Sequence, residues 1–247
     1  MIESILRFFT VNVIIKNVWY TMSCSGVKHF IWKNPICREN TGQRRYSRMM
    51  GKTHYAIGLA TALAVIHPQT LNECFVAVIG GSIGGVLADN DTLDHDYHSD
   101  ALSGQALAFA TAAIVLALDY FLNAGICSTI SGRPMLPIIG MIGFIILYVV
   151  GYFSNHRTFT HSFLALILYA LTSSLIYMPL GISLSVAYLS HLLLDVLNKK
   201  KVPLLYPLRF GICLKLCYAS KTANKVLMYT GFAATIILLG ISLFLIL

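Results

Sequence analysis

Histidine and aspartate residues that can bind a metal ion occur in four short clusters of this sequence. The clusters are Gly51-Lys52-Thr53-His54, Leu87-Ala88-Asp89-Asn90-Asp91, His156-Arg157-Thr158-Phe159-Thr160-His161-Ser162 and His191-Leu192-Leu193-Leu194-Asp195. Imidazole and carboxylate groups without a thiolate suit Zn²⁺, Mn²⁺, Fe²⁺ or Co²⁺. The clusters therefore predict a site for one or two divalent ions, with Zn²⁺ favoured.

His191 and Asp195 are four residues apart in an apolar stretch. On a helix such residues stand one above the other, with Cβ atoms roughly 6 Å apart, so both can reach one ion. Ionisable groups inside an apolar helix are costly and are usually functional. The alternative is a hydrogen bond that only staples the helix internally.

The second and third clusters lie at the ends of apolar segments. Asp89 and Asp91 follow one such segment, where carboxylates either bind cations or are solvated loop charges. His156 and His161 can enter one pocket if the turn between them is tight. We expect Thr158 or Thr160 to cap the helix that follows. The acidic run from Asp94 to Asp100 is interpreted as a solvated loop, with additional metal ligands as the alternative.

The composition indicates that these clusters are carried by membrane helices. The chain of 247 residues is 57% hydrophobic and 11% charged, whereas soluble domains carry about 25% charged residues. The mean hydropathy is +0.72. Lipid offers no partner for free backbone groups, so apolar runs of about 18 residues or more are read as spanning helices. We predict an all-α, polytopic membrane helix bundle of about six to seven apolar helices arranged as hairpins.

The hairpins bring all four clusters to one end of the bundle. Apolar segments cover residues 54–67, 71–88, 102–122, 135–153, 162–178, 180–197 and 226–247. One helix out and one back leads from His54 to Asp89, the next pair leads to His156, and a third leads to His191. The opposite end receives only the turns near Pro68 and Pro179 and the loop 123–134. We therefore expect the four clusters to share one membrane face.

Lysine and arginine residues predict which face that is, because cytoplasmic loops are enriched in them. The loops at the opposite end contain Arg133 alone. Those at the cluster end contain Lys52, Arg157, Lys199, Lys200, Lys201, Arg209, Lys215, Lys221 and Lys225. The site is therefore predicted to face the cytoplasm.

Residues 1–49 differ from the rest of the chain, with a short apolar stretch around Phe8 to Ile15 followed by a polar, basic segment. The formal net charge is +8. Most of it lies in this segment, which we treat as a basic N-terminal extension preceding a domain at 50–247. Two explanations are open, an amphipathic or signal-like extension and an upstream start codon with the true start at Met49 or Met50, and we favour the second. Because the basic residues form no face with interleaved aromatic residues, a nucleic-acid partner is not expected.

In the order of its motifs, the chain resembles the bacterial membrane-bound metal-dependent hydrolase family, of the LexA-regulated inner-membrane type. That family carries Leu-Pro-Asp-x-Asp, His-Arg-x-x-Thr-His-Ser and Ser-His-x-x-x-Asp motifs, and here Ala88 replaces the proline. The resemblance covers about residues 50–225. It implies the metal ligands His54, Asp89, Asp91, His156, His161, His191 and Asp195.

The resemblance and the clusters together lead to a functional hypothesis. We expect an inner-membrane enzyme that hydrolyses a phosphoester or ester, with lipid as a partner and candidate substrate, through metal-activated water. Asp91 and Arg157 are the candidate catalytic residues, and Arg157 can hold an anionic substrate group. The alternative is a non-catalytic divalent-metal binder or a transporter.

Overall fold

A computed structural model describes residues 50–91, 95–132, 134–155, 157–198, 201–208, 211–214 and 221–246. In this part the regular secondary structure is helical, apart from a single antiparallel bridge between Val202 and Ile212. A 3₁₀ turn, Ala88–Asp91, directly follows α2. The α-helices are α1 (Gly51–Ile66), α2 (Leu71–Leu87), α3 (His95–Leu122), α4 (Ile126–Gly132), α5 (Met135–Phe153), α6 (Phe163–Ile176), α7 (Met178–Leu197) and α8 (Lys221–Ile246).

Five helices are long and apolar enough to cross a membrane. Their candidate spans are Leu71–Asp91, Asp100–Leu122, Met135–Phe153, Met178–Leu197 and Thr222–Ile246. Helix α6 is apolar but shorter, and α1 has 16 residues, fewer than the roughly 20 that a bilayer core requires. The predicted all-α membrane bundle of hairpins is thus confirmed.

Large apolar side chains cover the outer surface of the bundle. Ile138 and Ile142 on α5 and Ile236 on α8 are each more than half exposed. Contiguous exposed apolar surface of this kind is rare on a soluble monomer. The exposed apolar surface is suited to contact with the acyl chains of membrane lipids.

Helix α2 occupies the centre, packed between α1 and α7. Its glycines allow this because their missing side chains let neighbouring backbones approach closely. A Cβ atom built on Gly85 would lie 2.7 Å from the carbonyl oxygen of His54 in α1. One built on Gly84 would overlap the carbonyl oxygen of Leu184 in α7. These glycines therefore set the spacing of the helices that carry the polar clusters.

Three local expectations need correction. The loop 123–134 contains the short helix α4. The residues from His95 to Asp100 begin α3 instead of forming a solvated loop, and Asp100 accepts a hydrogen bond from the backbone N–H of Gly51 at 3.1 Å. This contact joins residues far apart in sequence, so no local pattern reports it.

The N-cap of α6 is also not the residue expected. Ser162 is the cap, and its Oγ accepts a hydrogen bond from the N–H of Ala165 at 3.2 Å. Thr160 instead donates its hydroxyl proton to Asp91. The helix therefore starts at Phe163, three residues after Thr160, and the Thr160 hydroxyl is free to contact the polar cluster.

Candidate metal centre

Five of the predicted ligands converge at one end of the bundle. Two overlapping groups form, each with ligand atoms that lie within 4.8 Å of one another, and His191 belongs to both. The first group is His54, Asp89 and His191, and the second is His161, His191 and Asp195. The hairpin parity predicted this convergence.

The spacing of the ligand atoms suits a shared cation. His161 Nε2 lies 3.1 Å from Asp195 Oδ2, and His191 Nε2 lies 3.7 Å from Asp89 Oδ1. His54 Nε2 is 3.8 Å from Asp195 Oδ1. Ligand atoms bound at about 2.0–2.2 Å from one ion are roughly 3–4 Å apart. The side chains present therefore fit a divalent ion without rearrangement of the helices.

The orientation of the His191 ring is fixed by a backbone group. Its Nδ1 lies 2.7 Å from the carbonyl oxygen of Gly85, which can only accept, so Nδ1 carries the proton. In the neutral ring the lone pair is then on Nε2, a buried atom with no hydrogen-bond partner in the described part of the chain. That lone pair faces the carboxylates of Asp89 and Asp195, an arrangement that is repulsive unless a cation lies between them. Metal-binding histidines are commonly oriented through the second nitrogen in this way.

Asp91 holds the other side of the His161 ring. Its Oδ2 lies 3.4 Å from His161 Nδ1 and accepts hydrogen bonds from Thr160 Oγ1 at 2.6 Å and from the N–H of Arg157 at 2.8 Å. Neither of the two ligand groups includes Asp91. This geometry favours a positioning role for Asp91, whereas its assignment as a ligand stays a prediction.

The local charge favours cations. Burial alone would lower the pKa of His161, but Asp91 and Asp195 outweigh it and raise the pKa to about 10. The Arg157 guanidinium contributes a fixed positive charge, with Nη2 3.3 Å from Asp195 Oδ1. Buried charges are stable only when they are compensated, and three carboxylates gather here against one guanidinium and the imidazole of His161.

Long-range hydrogen bonds place His54 by pinning the first turn of α1. The N–H of Met50 donates to Asn224 Oδ1 at 3.2 Å, and Thr53 Oγ1 donates to the Asn224 carbonyl at 3.3 Å. Asp100 accepts from Gly51, as described above. Helices begin with N–H groups that lack intrahelical partners. These contacts provide partners for the first N–H groups of α1 and fix the position of His54 along the bundle axis.

The segments that carry Asp89 and His161 are anchored in a similar way. Asn90 Nδ2 donates to the carbonyl of Tyr148 on α5 at 2.6 Å. The hydroxyl of Tyr188 on α7 donates to the carbonyl of Thr160. These are polar side chains buried between helices, and they make the site part of the core.

Some predicted positions are not part of this description. His156, a predicted ligand, lies outside the described residues, as do the side chains of His95 and His98. Sequence reasoning also missed several residues that orient the ligands, because each acts through a partner distant in sequence. These are Gly85, Asp100, Tyr188 and Asn224.

Comparison with known proteins identifies the family. The model of the YdjM inner membrane protein family matches residues 49–247. No curated protein and no solved structure gave a match. The match covers most of the chain, including every candidate ligand. The chain therefore belongs to the bacterial YdjM inner membrane protein family.

Proposed function

We propose that this protein is a membrane-embedded, metal-dependent hydrolase that acts at the cytoplasmic face on a phosphoester or ester, with lipid among its substrates. The buried Nε2 of His191 carries the proposal, because its lone pair faces two carboxylates while Nδ1 is tied to Gly85. One or two divalent ions, Zn²⁺ foremost, are held by His54, Asp89, His161, His191 and Asp195. When bound, such an ion supplies Lewis acidity that activates water and polarises an ester oxygen.

The depth of the site favours an enzyme over a transporter. Asp89 lies on the turn that ends α2, and His161 precedes α6. His191 is six residues before the end of α7, about 9 Å at 1.5 Å per residue. Transporters place their sites near the middle of the bilayer, on broken helices. A site near the helix ends is suited to headgroups and to water-soluble esters.

Turnover separates the two functions. We expect metal-loaded protein in lipid nanodiscs to hydrolyse at least one member of a panel of phosphomonoesters, phosphodiesters and carboxylic esters. Asp195→Asn should lower the rate at least about 100-fold, because catalytic metal sites depend on their ligand set. The Asp195 carboxylate lies close to three candidate histidine ligands and also to the Arg157 guanidinium. The matched control is His67→Asn, an exposed histidine beyond the far end of α1 with φ 48°, a backbone conformation that asparagine tolerates.

The contrary result has a defined form. Bound metal without turnover of any substrate, together with cation flux into proteoliposomes, would favour the transporter.

Labelling of single cysteines tests the cytoplasmic orientation. In a chain without native cysteines, Lys52→Cys places a thiol at the cluster end and Ser128→Cys places one at the opposite end, and both positions are exposed. In spheroplasts, a membrane-impermeant maleimide should label position 128 directly and position 52 only after permeabilisation, because basic loops stay in the cytoplasm. The reverse pattern would place the site in the periplasm.

A further inference from the structure

Arg157 has a guanidinium group that the polar cluster only partly satisfies. Its side chain is 10% exposed, and Nη2 contacts Asp195. The remaining groups, Nε and Nη1, are buried and have no hydrogen-bond partner among the residues that the structure describes. A guanidinium has five N–H donors and no acceptor, so these two groups can be satisfied only by an acceptor. A buried donor without a partner destabilises the fold, and more strongly when it is charged.

The backbone holds Arg157 in this place. Its φ of 58° lies in the left-handed region, which is uncommon for a residue other than glycine, asparagine or aspartate. The hydrogen bond from its N–H to Asp91 Oδ2, 2.8 Å long, fixes that conformation. The same oxygen accepts from Thr160, next to His161. One carboxylate thus positions both a candidate metal ligand and the guanidinium, and strained backbone of this kind clusters at functional sites.

Among the described residues of the cluster, Asp89 and Arg157 have the most exposed side chains. The exposed fraction is 17% for the Asp89 side chain and 10% for that of Arg157, against 3% or less for His54, His161, His191 and Asp195. A molecule that enters therefore meets Asp89 and Arg157 before it reaches the histidines.

We propose that the edge of the Arg157 guanidinium that Asp195 leaves open binds two oxygens of a phosphoryl group, so that the substrate is a phosphate ester and not a neutral ester. This inference rests on the proposed hydrolase function and narrows its substrate class. The planar guanidinium matches a pair of anionic oxygens in a bidentate contact. A carboxylate would use both of its oxygens on the guanidinium. A phosphoryl group keeps a further oxygen that can face the His and Asp ligands.

Binding of inorganic phosphate tests this role without requiring turnover. The full chain in detergent is titrated with inorganic phosphate by calorimetry, in the Zn²⁺-loaded and metal-free forms. Arg157→Lys keeps the charge but loses the paired N–H donors of the guanidinium, and should weaken phosphate binding about 10-fold. Arg157→Asn tolerates the left-handed backbone but removes the charge, and should weaken binding about 100-fold. Lys52→Ala removes an exposed charge at the same end of the bundle and should leave binding unchanged.

Lipid phosphate and soluble phosphate are separated by two further probes. Dihexanoyl phosphatidate binding at least about 10-fold more tightly than phosphate, and depending on Arg157, identifies a lipid phosphate; equal binding identifies a soluble one. Dihexanoylglycerol, which is neutral, should bind independently of Arg157 or not at all.

Unchanged phosphate affinity in folded Arg157→Asn, or no saturable phosphate binding by either wild-type form, overturns the proposal. The metal content of the purified protein tests the hydrolase proposal separately. If the protein binds no metal but binds phosphate in an Arg157-dependent way, the metal site is refuted and the phosphate site stands. If the protein binds metal but not phosphate, the phosphate site is refuted and the metal site stands.

Discussion

Purified wild-type protein is expected to carry one or two divalent ions per chain, and the His191→Ala variant is expected to lose them. His191 belongs to both ligand groups, so its removal leaves each group with only two of its members. Loss of an orienting partner alone typically weakens metal binding about 10- to 100-fold, and loss of a shared ligand should exceed that range. Asp195→Ala should have a similar effect, because Asp195 lies close to three histidines.

Elemental analysis of protein purified without added chelator gives the measurement. His67→Asn is the matched control, since it removes an imidazole that lies outside the cluster, and it should retain the wild-type metal content. Asp91→Asn distinguishes a positioning residue from a ligand: a loss of about 10- to 100-fold in affinity fits positioning, whereas complete loss fits ligation. Wild-type protein without any metal would refute both the hydrolase and the metal-binder hypotheses.

The Gly84→Ala substitution is expected to destabilise the bundle and to lower metal affinity together. The added methyl group would overlap the carbonyl oxygen of Leu184 and lie 3.0 Å from the Cβ of Ala187. Because the overlapping atom belongs to the backbone of α7, relief requires α2 and α7 to separate. Overpacking of this kind costs about 1–3 kcal/mol or more. The separation also moves Gly85 away from His191, which lies on α7.

Thermal unfolding in detergent and metal titration report the two effects. Gly240→Ala is the matched control, because a Cβ atom at this helical glycine would meet nothing within 4 Å. In a helix interior, alanine is favoured over glycine by up to about 1 kcal/mol, so the control should be neutral or slightly stabilising. An unchanged unfolding temperature and unchanged metal affinity in Gly84→Ala would contradict the close approach of α2 and α7 at Gly84.

The sequence was sufficient to predict which clusters meet. Hairpin parity depends only on the number of membrane crossings between polar segments, and that number follows from apolar run length. The i, i+4 spacing of His191 and Asp195 on an apolar helix predicted their shared face, and the structure places both in the second ligand group.

The division of roles within a cluster could not be predicted in the same way. Asp89 and Asp91 look equivalent in the sequence, but they lie on a 3₁₀ turn, where residues two apart point about 120° apart. Asp89 therefore faces His191, while Asp91 reaches behind His161. An α-helical or extended backbone would have directed them differently, and the two-residue spacing does not distinguish these cases. The hydrogen bond from His191 to Gly85 depends on how two helices pack, which no local pattern encodes.

The sharing of His191 by both ligand groups has a consequence for biogenesis. A polypeptide is synthesised from its N-terminus, so His54 and Asp89 enter the membrane several helices before His191 is made. Neither group is complete until α7 has inserted. Until then, the carboxylate of Asp89 lacks the imidazole that lies 3.7 Å from it in the finished bundle. A cation that either group holds can therefore bind only late in the maturation of the protein, after the bundle has assembled around α2.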